Sequence, residues 1–70
     1  MGIKNRYKLS NPETFKGWSA KINDWGNLHM LIIYLPNGNK YGEYWSKSLL
    51  GSKNKFTREM GIKGAKWERE

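Results

Sequence analysis

Residues 28–35, Leu-His-Met-Leu-Ile-Ile-Tyr-Leu, place apolar side chains on both parities of one extended segment. Leu28, Met30, Ile32 and Tyr34 fall on one side of a strand, and Leu31, Ile33 and Leu35 on the other. The run is too short to span a bilayer and is rich in the branched and aromatic residues that suit a pleated surface. An ordinary antiparallel strand alternates apolar with polar, so this one reads as a central strand with two faces to be covered. At about 25 cal/mol per Å² of apolar surface, three large aliphatics left in water forgo several kcal/mol, comparable with a small domain's whole stability. Another part of the chain, or another chain, is expected on each face.

Turn chemistry follows at once. In Pro36-Asn37-Gly38, proline presets φ for the first turn position, asparagine tolerates a left-handed backbone, and glycine supplies φ > 0 without steric cost. A third strand over residues 39–48 then carries Lys40, Gly42, Tyr44 and Ser46 on one parity and Tyr41, Glu43 and Trp45 on the other. A register slip of one residue would exchange these faces, so the sequence leaves open which aromatics are exposed.

Upstream, residues 11–26 admit two readings. As a helix, Asn11 caps, Pro12 opens, Gly26 stops, and Phe15, Trp18, Ile22 and Trp25 form a stripe. As a strand, Trp18, Ala20 and Ile22 alternate with Ser19, Lys21 and Asn23, and residues 23–26 make a turn closed by glycine. Gly17 costs a helix about 1 kcal/mol relative to alanine. A strand here would also satisfy the backbone of the central one, and it is the favoured reading. Residues 1–10 read as an arm or a short edge strand, on which Lys4, Arg6 and Lys8 either discourage unwanted pairing or contact nucleic acid. After Gly51, Ser52 is expected to cap a short helix over residues 52–61, with Phe56 and Met60 on one face. Residues 62–70 are expected to form a basic, partly mobile tail that docks through Trp67. The predicted architecture is a single α+β domain, a three-stranded antiparallel meander at roughly residues 17–23, 27–35 and 39–48 with an N-terminal arm and a short C-terminal helix.

Thirteen Lys and Arg against six Asp and Glu give a formal charge of +7, the strongest pointer to a partner. Residues 1–21 and 47–70 each net +4, while residues 22–46 net −1. Such a charge favours polyanions or acidic protein surfaces. Without cysteine there is no disulfide framework, thiolate metal site or cysteine nucleophile. No apolar run of signal-peptide length lies in residues 1–25, and Arg6 stands where a myristoylation motif needs Ser or Thr, so a cytoplasmic chain without a membrane partner is expected.

His29 has no second histidine or obvious carboxylate near it in sequence, and Asp24 and Glu43 are the only acids of the sheet region. A catalytic or metal site needs a constellation of groups, so neither is assigned, nor is any cofactor. Four tryptophans and four tyrosines beside lysines suit base stacking and equally suit protein hot spots. The leading expectation is a small non-enzymatic protein that binds DNA or RNA, gripping phosphates through Lys40, Lys47, Lys53, Lys55 and Arg58, with Tyr41, Tyr44 or Trp45 on bases or sugars. The alternative is an interaction module, an inhibitor or adaptor, seated on an acidic surface of a larger enzyme. A homodimer is compatible with both.

Overall fold

The central apolar run becomes an interior strand of a five-stranded antiparallel sheet, beside one of its edge strands. The computed structural model describes residues 2–70. In chain order they form β1 (Asn5–Leu9), a 3-10 helix (Pro12–Phe15), β2 (Ser19–Asp24), β3 (His29–Tyr34), β4 (Lys40–Ser46), α1 (Leu49–Met60) and β5 (Trp67–Arg69). The spatial order is β4-β3-β2-β1-β5, with every neighbouring pair antiparallel. The architecture is α+β, as expected, but the sheet holds five strands rather than three.

The β3–β4 turn is the predicted one. Gly38 N–H donates to Leu35 O at 2.9 Å, Leu35 N–H donates to Asn39 O at 2.8 Å, and Gly38 takes φ +91°. This is a type I turn with proline second, closed by a glycine bulge. In residues 11–26 each competing reading holds in part. Pro12 does open a helix, a 3-10 turn that ends by Phe15, and the strand begins at Ser19. Lys16 at φ 56° and Gly17 at φ +91° separate the two, a left-handed pair that no continuous helix accommodates.

Three expectations fail on one cause, a C-terminal segment that folds back onto the N-terminal one. Residues 62–70 do not end as a tail, because β5 pairs with β1 in the register Leu9↔Trp67, Lys8↔Glu68 and Tyr7↔Arg69. With β2 on its other side, β1 is neither an arm nor an edge strand, so Lys4, Arg6 and Lys8 guard no edge. Asn11 does not cap the 3-10 helix through its side chain. Its amide instead donates to Gly64 O and accepts from Lys66 N–H, both at 2.9 Å, tying the approach to β5 in place.

The helix begins earlier than Ser52. Ser48, with extended φ and ψ, is the N-cap, and its Oγ accepts from Gly51 N–H at 2.9 Å. Ser52 lies buried inside the first turns. The stop at Gly61 is as expected, with φ +69° and its N–H donating to Thr57 O at 2.9 Å. α1 lies across β2, β3 and β4. Beneath it Ile22, Leu31, Ile33, Ala20 and Leu9 join Phe15 and Phe56 in a single core. Phe56 is fully buried, edge-on to Phe15 at 5.1 Å and to Trp67 at 5.4 Å, so one ring joins the helix, the 3-10 turn and β5.

Truncating that ring severs the helix from both partners. Phe56→Ala is expected to cost about 3–5 kcal/mol, against about 4–10 kcal/mol for a chain of this length. Urea titration followed by circular dichroism should find this variant largely unfolded or barely stable in buffer, and Phe56→Leu folded with a lowered midpoint.

Candidate nucleic-acid interface

Strand parity sorts the sheet into a helix-covered face and an open one. On β3, His29, Leu31 and Ile33 are buried while Met30, Ile32 and Tyr34 are half-buried. The helix thus meets one half of the demand of a doubly apolar strand. Among the described residues, no element lies over the other half.

Cross-strand register lays two rows across the open face. One runs Arg6–Asn23–Met30–Trp45 and the other Lys8–Lys21–Ile32–Glu43, each reading from β1 to β4. The face is therefore basic over β1 and β2 and mainly apolar to aromatic over β3 and β4, where Glu43 is the one acid of the two rows. Trp45 is 57 % exposed and stacks on Trp25 of the β2–β3 turn, centroids 5.7 Å apart and planes 29° apart. The acids of these rows and their flank are already engaged: Glu68 pairs with Lys8 at 3.7 Å, and Glu43 binds Lys40. Arg6 and Lys21 make no salt bridge among the described residues.

A buried polar group holds the turn that carries Trp25. Asp24 Oδ1 accepts from Gly26 N–H at 2.6 Å, an Asx-type turn, and Oδ2 accepts from the Asn5 amide at 3.3 Å. His29 Nε2 lies 3.1 Å from Asp24 Oδ1. The carboxylate that sequence proximity did not suggest for His29 is its cross-strand neighbour. The Gly26 hydrogen bond, followed by Asn5, His29 and Lys4, lowers the Asp24 pKa below the ordinary carboxylate value, although burial opposes this.

The eight residues expected to form the site do not share one face. Trp45 and Lys40 lie on the open side, and Lys40 is held by Glu43, which raises its pKa. A bulge opposite Ile33 and Tyr34 interrupts the alternation of β4. Tyr41, 51 % exposed, is consequently edge-on to Trp18 at 5.1 Å, beside a groove shared with Phe15 and Met60. Tyr44 turns to the helix side, where a Cβ on Gly42 would stand 2.9 Å from its hydroxyl. That hydroxyl donates to Glu59 at 3.0 Å, while Lys55 pairs with Glu59 at 3.4 Å and sits 4.7 Å from the Tyr44 ring centroid. The hydrogen bond from Tyr44, then that from Lys55, lowers the Glu59 pKa, and the same bond raises that of Tyr44.

Tyr44, Trp45, Lys55 and Arg58 do border a common groove of about 490 Å³ between β4 and α1. Lys47 lies exposed in the β4–α1 connection and Lys53 on the helix, neither lining that groove. Outside the expected eight stand Lys21 and Trp25, together with Arg6 and Lys8, for which the sequence offers nucleic-acid contact as one of two readings. Their signal is present as even-numbered cations on β1 beside odd-numbered Tyr7 and Leu9, but it needs the knowledge that β1 is an interior strand.

A lowered carboxylate pKa has a definite sign. The unfolded chain takes up the proton first, so the stabilisation by Asp24 is fully present above the ordinary carboxylate value and is lost as pH falls toward the folded-state pKa. Glu59 adds in the same direction. Urea midpoints measured from pH 7 down to strongly acid solution should fall for the native chain. Asp24→Ala should start lower at neutral pH and fall less steeply, with Glu59→Gln flattening the curve further.

Comparison of the chain with protein-family models, curated proteins and solved structures found no significant match, so the functional reading rests on this geometry.

Proposed function

We propose that this protein is a small non-enzymatic nucleic-acid-binding protein whose contact surface is the open face of the sheet. The observation that carries the reading is the division of that face. Cations unpaired by acid, Arg6 and Lys21, lie on β1 and β2, and the exposed indole of Trp45 lies on β4 in the row of Arg6, beside Glu43 held by Lys40 in the row of Lys21. Phosphates are the natural partners of the first half, and the flat faces of bases or sugars are those of the second. The overall charge of +7 strengthens the attraction at long range and makes it salt-dependent.

The sets expected from sequence contribute unequally under this reading. Lys40 and Lys55 are occupied by Glu43 and Glu59, whereas Lys47, Lys53 and Arg58 form no salt bridge among the described residues and add to the basic field from the helix side. An acidic protein surface would complement the same cations, and the apolar half of the face would seat its side chains.

Fluorescence anisotropy of labelled nucleic acid, titrated at several salt concentrations, tests the reading. Affinity is expected in the micromolar range or tighter, falling steeply as salt rises. Replacing Arg6, Lys8 and Lys21 together by glutamine should weaken binding across sequences and reduce the salt slope by about one for each phosphate that is no longer neutralised. Replacing Lys53 and Arg58 by glutamine should have the smaller effect. Absence of binding to any nucleic acid at about 50 mM salt would overturn the reading in favour of an acidic protein partner.

A further inference from the structure

We infer that the open face takes single-stranded nucleic acid, with phosphates over the cations of β1 and β2 and unstacked bases over Trp45 and the apolar part of β3. The inference rests on the nucleic-acid reading above and narrows its ligand.

The width of the sheet disfavours a closed duplex. Five strands at about 4.8 Å spacing span about 19 Å, whereas the major groove of B-DNA, about 12 Å wide, admits a helix or a two-stranded ribbon. The β3 and β4 positions that carry Met30, Ile32 and Trp45 lie within the sheet plane, not on a projecting hairpin tip, so they cannot be lowered to base edges inside a duplex. Bases must instead come out to the sheet. A single strand presents them at no cost of unpairing, while a duplex must first be opened.

The spacing of the cations suits an extended strand. Arg6 and Lys8, the latter also 3.7 Å from Glu68, share the open side of β1 and recur two residues apart, about 6.8 Å at the antiparallel rise. The row of Arg6 runs from cation to indole across three strand intervals, about 14 Å, and that of Lys21 reaches the aliphatic Ile32 one strand on, with Glu43 beyond it held by Lys40. A strand lying along the β direction therefore meets a cation on its phosphate side and an indole or aliphatic on its base side. Trp25 covers one face of the Trp45 ring, which leaves the other for a base. Half-buried Asn23 lies between the two zones and offers an amide to a base edge.

The test uses the full chain and three labelled ligands of one sequence, single-stranded DNA, single-stranded RNA and the DNA duplex, each about 12 nucleotides long, within the usual site sizes. At matched salt the single strands should bind at least about tenfold tighter than the duplex, with Trp45→Ala costing about fivefold to a hundredfold and Trp45→Phe much less. The tighter of the two single strands identifies the sugar preferred. Because Trp45 is exposed, circular dichroism should show all variants folded. Equal or tighter binding of the duplex, with Trp45→Ala without effect on any ligand, would overturn this inference and leave the broader reading standing. If none of the three binds at about 50 mM salt, both fall together.

Discussion

The packing of Phe56 against the sheet is the contact on which the remaining structure depends. A chain of seventy residues has no disulfide to close it, so the core must be closed by apolar burial alone. Phe56 reaches Phe15 and Trp67 in edge-on geometry, and these two residues come from opposite ends of the chain. Their meeting brings β5 beside β1 and turns a three-stranded meander into a five-stranded sheet. The Asn11 side chain completes the link, because its hydrogen bonds to Gly64 and Lys66 satisfy backbone groups that would otherwise be stranded at the approach to β5.

One helix can cover only one side of such a sheet. An α-helix with its side chains is about 10 Å across, close to two strand spacings, and α1 accordingly lies over β2, β3 and β4. The opposite face of β3 stays uncovered with Met30, Ile32 and Tyr34 half-buried. Among the described residues no element covers that face, and the cations of β1 and β2 share it with the apolar side chains of β3. The core and the open face draw on opposite sides of the same strands: Leu9 and Ile22 point to the core from β1 and β2, and Lys8 and Lys21 point away.

Little of the candidate surface is legible before the strands are paired. Trp45 is one of three aromatics that the sequence offers as contacts, and its partner Trp25 falls on a helix stripe in one reading of residues 11–26 and in a turn in the other. Tyr41 and Tyr44 group with it because they are close in sequence, and the β4 bulge together with strand parity sends both elsewhere. Lys55 counts as a free cation in sequence, although Glu59 one turn along the helix engages it. That i,i+4 pairing is readable from spacing once the segment is treated as a helix.

What the sequence determined by itself is the part of the fold governed by local rules. The doubly apolar run made β3 an interior strand, Pro36-Asn37-Gly38 made the hairpin, and Gly61 ended the helix, because backbone sterics and side-chain period act within a few residues. Only the tertiary structure decided that β1 is an interior strand, that residues 67–69 form β5, and that Arg6, Lys21 and Trp45 share one face. Those facts depend on register and on contacts between distant segments, where a shift of one residue exchanges the two faces of a strand and no local signal resists it.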